Sequence, residues 1–214
     1  MQIEYLVVVF VVLLFSLCVH EFAHAWAANM CGDDTARLLG RMSLNPIVHI
    51  DPLGTVIVPL LAMVTGFPFF GWAKPVPVNP GRFHNYRRDD IIVSLSGIIS
   101  NLLLAIIAAT TIRVIVAAGL FGVARPLLSV LEYMMVVNVV LAVFNLIPIP
   151  PLDGSHVLFH YLPPDAALQF RRLERYGFMV LMFIVVFAGD YLFAVIFFPL
   201  KYFYLIAGIY PSIF

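Results

Sequence analysis

Apolar residues gather in five long stretches, at about 4–28, 53–70, 91–120, 128–150 and 176–213, the last interrupted by Gly189-Asp190 and Pro199. A helix that crosses a bilayer needs about 20 apolar residues, so each stretch is long enough to enter one. Polar connectors separate them: residues 29–52, a Pro-rich segment with a basic end at 72–90, a short turn near Arg125, and a basic loop at 160–175. Within 35–44 the period changes. Ala36, Leu38, Gly40, Met42 and Leu44 alternate with Arg37, Arg41 and Ser43, Leu39 being the exception. A period of two predicts a short strand on the membrane surface. Lys74-Pro75-Val76-Pro77-Val78-Asn79-Pro80 must stay out of helix, because each proline disfavours helix in the residue before it.

Composition agrees with a membrane setting. Of 214 residues, 63% are hydrophobic and 11% charged, with a mean hydropathy of +1.02. A soluble domain carries about 25% charged residues, and this chain lacks the charge to cover a core in water. Net charge is zero, which gives no basic field for nucleic acid. Cys18 and Cys31 would lie about 20 Å apart on one helix, so no disulfide framework can be read from them. Ala23-His24-Ala25 imitates a signal-cleavage site, yet Met1–Tyr5 has no Lys or Arg, and a signal peptide wants a basic start. The first stretch is expected to stay as a membrane helix.

His20-Glu21-Phe22-Ala23-His24 carries the chemistry. Residues four apart share a helix face, so both imidazoles can reach one ion. Glu21 is offset from that face and can act as base toward a water instead of ligating. Three ionisable side chains inside a run of Val, Leu, Phe and Ala are costly, and such groups are functional by default; packing glue between helices is the bland alternative. A catalytic zinc usually has three protein ligands and one open position. The search for a third leads to Asn145-Leu146-Ile147-Pro148-Ile149-Pro150-Pro151-Leu152-Asp153-Gly154. Its prolines break the helix, and broken backbone at that depth is tolerated where it is buried or lines a wet cavity. Asp153 can point a carboxylate into such a cavity, or it can simply form an Asp-Gly turn.

HEFAH in an early membrane helix, with N-x-x-P-x-P-x-L-D-G in a later one, resembles the site-2 protease family of intramembrane metalloproteases. The resemblance extends to Asn45-Pro46-x-x-His49-x-Asp51-Pro52-x-Gly54, to Ala73–Pro80, and to Ser96-Gly97 ahead of Asn101. It covers most of residues 1–158 and points to the compact bacterial branch without a PDZ domain. Ile98 departs from the family, where proline is common. The resemblance implies one Zn2+ on His20, His24 and Asp153, the base role for Glu21, and a supporting polar role for Asn145 near the reacting carbonyl. Asn145 precedes the proline break by one turn, so its amide can face the cavity or bond another helix. The implied reaction is hydrolysis of a peptide bond in or near a membrane helix of another protein, whose helix must unwind first. The partners implied are a transmembrane protein substrate and the lipid bilayer, with control by an unidentified membrane partner or by prior processing of the substrate.

Sharing one ion puts the ends of 4–28 and 128–150 at one depth, so these spans run parallel and a single crossing, 91–120, lies between them. Residues 53–70 then dip in and return, which Pro59, Thr65, Gly66 and Pro68 permit. This topology gathers Arg37, Arg41, Lys74, Arg82, Arg87, Arg88, Arg171, Arg172 and Arg175 on the cytoplasmic side, as the positive-inside rule asks, and sets the active site of a multi-pass cell-membrane protein near the cytoplasmic face. The expected fold is an all-α polytopic membrane protein, one domain over 1–214, with about four to five transmembrane helices. Its parts are core spans 4–28, 91–120 and 128–150, a re-entrant 53–70, C-terminal helices in 176–213, and a short membrane-surface β element at 35–44 that either receives substrate by backbone pairing or is an amphipathic surface loop connecting two membrane elements.

Other classes fit less well. A metal carrier would spread its ligands along a path, and a membrane di-iron oxygenase resembles His-box proteins with around eight histidines, where this chain has six. A catalytically dead relative would have lost one of the four key residues. Of the remaining histidines, His49 lies in a polar turn and is a candidate to line the site. His156 and His160 are four apart without a following Glu, and His84 belongs to a headgroup-level loop.

Overall fold

The computed structural model describes residues 3–58, 72–120, 122 and 124–209, which divide into two compact units, Met1–Gly97 and Ile98–Phe214. Among the described residues four helices are long and apolar enough to cross a membrane: Val7–Met30, Tyr86–Ala117, Arg125–Leu146 and the broken Gly189–Ala207. Expected residues 59–70 of the re-entrant segment lie outside the described ones; 53–58 begin with a π-helical turn, Pro52–Ile57.

The first unit is built around α1 (Ile3–Met30). Its C-terminal half carries Ala25, Ala27 and Ala28, all buried; small side chains let other backbone come close in a membrane. Ala25 packs with Ala36 and Val76, and Ala27 and Ala28 pack with Cys31 and Val93. No strand occurs among the described residues, and the expected β element at 35–44 is replaced by a short helix, α2 (Thr35–Leu38). The physical reason lies at its ends. Asp33 Oδ1 accepts the Thr35 N–H at 3.1 Å. Gly40, at φ +68°, closes the helix, with the Gly40 N–H on the Arg37 carbonyl at 3.1 Å and the Arg41 N–H on that of Ala36 at 2.8 Å. That pair of bonds is a Schellman stop. The apparent alternation was a single helical turn followed by its cap, and the substrate-pairing edge assigned to it falls with the strand.

Asn45 and Asp51 then cap two tight turns, Pro46–His49 and Pro52–Ile57, through Ile47 N–H and through Leu53 and Gly54 N–H. Residues 72–79 form a non-helical strap, as the prolines require. Its Trp72 N–H reaches the Gly54 carbonyl at 3.2 Å, and its Lys74 N–H reaches that of His49 at 2.9 Å. α3 (Tyr86–Ala117) follows, started by Asn85, whose side chain accepts the Arg88 N–H at 3.0 Å.

The second unit contains the rest of α3, α4 (Arg125–Leu146), and the helices α5 (Asp153–Phe159), α6 (Pro164–Leu173), α7 (Gly177–Phe187), α8 (Gly189–Phe197) and α9 (Leu200–Ala207). The basic loop expected at 160–175 is largely helical, and α7 alone is too short to cross a bilayer. Ala105, Ala108, Ala109 and Ile112 meet Met135 and Val139 with Leu200, Tyr204 and Ala207. Two buried polar links tie this core: Asn101 Nδ2 donates to Asn138 Oδ1 at 2.8 Å, and the Tyr204 hydroxyl donates to Glu132 Oε1 at 2.9 Å. The Pro150–Pro151 peptide is cis.

Candidate metal centre

The HEFAH segment lies in the C-terminal half of α1, where His20, Glu21 and His24 are 5%, 8% and 8% exposed. His24 Nδ1 lies 2.8 Å from the Val93 carbonyl. A carbonyl only accepts, so Nδ1 carries the hydrogen and Nε2 keeps its lone pair, the state a metal ligand needs. Val93 also accepts the Ser96 hydroxyl at 2.6 Å. The Nε2 atoms of His20 and His24 approach to 3.0 Å with the rings nearly perpendicular. Two nitrogens on one tetrahedral zinc, each bonded at about 2.0–2.1 Å, would sit about 3.3 Å apart. The pair therefore fits one ion.

Gly97 confirms how closely the rings are held. A Cβ on this residue would fall 2.5 Å from His20 Cε1 and from His24 Nε2, so only glycine lets α3 approach the two imidazoles. Ser96-Gly97 was visible in the sequence as a pattern, but its use as a cradle was not.

Glu21 points elsewhere than the imidazole pair. Its Oε2 accepts the backbone N–H of Val76 in the strap at 2.7 Å. Its backbone partner had no signal in side-chain patterns.

Asp153 and Asn145 belong to the second unit. Asn145 is half-buried in the last turn of α4, its Nδ2 donating to the Leu141 carbonyl at 3.0 Å. Asp153 opens α5 directly after the proline break and is half-buried. The following glycine is not a turn residue: a Cβ on Gly154 would stand 2.2 Å from the Leu146 carbonyl oxygen. The Asp-Gly pair thus starts a helix pressed on the end of α4, against the bland Asp-Gly turn. His49 is buried, its Nε2 donating to the Ser43 carbonyl at 2.7 Å. His84 and His156 are exposed.

Comparison with known proteins agrees with this chemistry. The model of peptidase family M50 matches residues 8–188. "Putative zinc metalloprotease YwhC" of Bacillus subtilis (strain 168) is 38% identical over 179 residues, covering 82% of this chain and 78% of that protein. "Putative zinc metalloprotease Rip2" of Mycolicibacterium smegmatis is 30% identical over 176 residues, 81% of this chain and 64% of its own length. The Rip2 of Mycobacterium tuberculosis (strain H37Rv) is 28% identical over 193 residues, 86% of this chain and 69% of its own. No solved structure matches the chain. A family model spanning nearly the whole chain, over a helix that holds two imidazoles ready for one ion, places this protein in peptidase family M50, the site-2 protease family of zinc metalloproteases.

Proposed function

We propose that this protein is an intramembrane zinc endopeptidase that hydrolyses peptide bonds in or near the transmembrane segments of other membrane proteins. The observation that carries the reading is the 3.0 Å imidazole pair inside an apolar helix, beside a carboxylate turned out of the ligand set. His20, His24 and Asp153 hold the metal, Asp153 being the carboxylate that the family pattern supplies after the proline break. Zinc, when bound, polarises the scissile carbonyl and makes a water acidic enough to attack near neutral pH.

Glu21 takes the proton of the attacking water on its carboxylate and delivers it to the leaving amine. The Asn145 amide steadies the negative charge that grows on the carbonyl oxygen. The substrate helix must unwind first, because a helical carbonyl is shielded by its own hydrogen bond. The active site faces the cytoplasm, since the Lys and Arg of the polar connectors then lie inside. The bilayer is the protein's medium, and a transmembrane protein is its partner.

The reading is tested with Glu21→Gln. The purified variant should hold about one zinc, as wild type does, and should fail to cut a membrane-spanning peptide. Loss of zinc with retained hydrolysis would show that Glu21 is a ligand and that the base is another group.

A further inference from the structure

His49 was left without a role by the chemistry above, and the structure supplies one. A glutamate has three torsions between backbone and carboxylate, so a base on such a side chain must be held if it is to meet its water in one geometry. Here the hold is a backbone group: the Val76 N–H donates to Glu21 Oε2 at 2.7 Å, with both residues 8% exposed. The strap carrying Val76 is fastened two residues earlier. The Lys74 N–H donates to the His49 carbonyl at 2.9 Å, and Arg41 Nη2 donates to the carbonyls of Lys74 and Pro75 at 2.9 and 3.3 Å.

Register is protected by composition. Pro75 and Pro77 flank Val76, so a slip of one residue in either direction would set a prolyl nitrogen, which has no hydrogen, against the carboxylate. His49 fixes the other end of the fastening. It is 1% exposed, and its Nε2–H on the Ser43 carbonyl at 2.7 Å closes the Ser43–His49 turn whose last carbonyl receives Lys74. We infer that His49 is a positioning residue which, through the Lys74–Val76 backbone, holds the Glu21 carboxylate in its working orientation. The inference rests on the proposed base role of Glu21 and says what makes that role effective.

The test uses the full chain, purified in detergent and loaded with zinc, in four variants: His49→Ala, His49→Gln, Val76→Pro and Glu21→Gln. Gln can reach the Ser43 carbonyl with its amide, and proline removes the Val76 N–H. Two readings are taken. The first is the infrared carboxylate band of Glu21, assigned by its disappearance in Glu21→Gln, which needs no substrate. The second is kcat and KM on a synthetic membrane-spanning peptide carrying a fluorophore and a quencher.

Val76→Pro and His49→Ala should stay folded and keep zinc, shift the Glu21 band, and lower kcat about 10–100-fold with KM unchanged, the range for residues that orient a site from behind. His49→Gln should recover most of both signals. An unmoved band in either variant, when folded and zinc-loaded, overturns the inference. So does loss of zinc or of fold in His49→Ala, which would make its contact purely structural; if only Val76→Pro unfolds, His49→Ala decides. Glu21→Gln that still cleaves at the wild-type rate would instead sink the base role, and the band shifts would remain as a separate result.

Discussion

Replacing Gly97 by alanine would drive a methyl carbon to 2.5 Å from His20 Cε1 and His24 Nε2, and to 2.8 Å from His20 Nδ1. Ordinary contact for such a carbon begins at about 3.4 Å, so the nearest ring atoms must retreat by about 0.9 Å. Retreat has consequences on both sides of the rings. Metal–ligand distances tolerate about 0.2 Å, far less than the shift. Gly97 and Val93 are four apart on α3 and share a face, so moving His24 away from Gly97 also stretches its 2.8 Å bond to the Val93 carbonyl beyond hydrogen-bonding range. That bond sets the tautomer which frees Nε2. Both losses weaken metal binding, and Gly97→Ala should lower zinc affinity on the order of 100-fold, or about 2.7 kcal/mol. The assay is competition for zinc against a chromophoric chelator, with the protein in detergent. Gly122→Ala serves as the control, because a Cβ there meets open space. Zinc held by Gly97→Ala within threefold of wild type would refute the reasoning and show that the helices part without cost.

Three further outcomes are expected. Asn145→Ala should reduce kcat by about 10²–10³-fold, the loss typical of one oxyanion donor, with zinc content unchanged; unfolding instead would assign the amide to helix packing. Tyr204→Phe removes the donor to Glu132 Oε1 and should destabilise the protein by about 1 kcal/mol, as buried polar links between membrane helices do, seen as a lower melting temperature with zinc retained; an unchanged or higher one would mean that Glu132 finds another donor as good. Single cysteines at positions 41 and 85 should both react with a membrane-impermeant thiol reagent from the cytoplasmic side of oriented vesicles, and labelling from opposite sides would overturn the proposed topology.

The membrane helices were legible because hydropathy over 20 residues averages out local detail, and their errors fall where charge enters a helix. α3 begins at Tyr86, five residues before the apolar run starting at 91, since its first turn holds Arg87, Arg88, Asp89 and Asp90. Hydropathy reads that turn as loop, although Asn85 marks the start by capping the Arg88 N–H. α4 stops at Leu146, before Pro148, where a proline rule outranks hydropathy. The reading of 35–44 failed differently. A period of two over ten residues competed with an acidic start at Asp33 and a glycine stop at Gly40, and the capping signals won because they satisfy specific N–H and C=O groups.

Within the candidate site, legibility divides by which atoms do the work. In the proposed site His20, Glu21 and His24 would act through side chains, so their identity and spacing announce them. Their supports act through backbone: the Val93 carbonyl sets the His24 tautomer, the Val76 N–H holds Glu21, and the His49 carbonyl fastens the strap. Every residue type but proline offers those groups, so composition cannot mark where they are used. The exceptions are the positions at which a group has been removed. Gly97 lacks the Cβ that would strike the imidazoles, and Pro75 and Pro77 lack the N–H that would compete with that of Val76. A sequence thus shows its backbone chemistry by subtraction. Glycines and prolines flanking a metal-binding motif in a membrane protein mark the places where main chain, not side chain, touches the machinery.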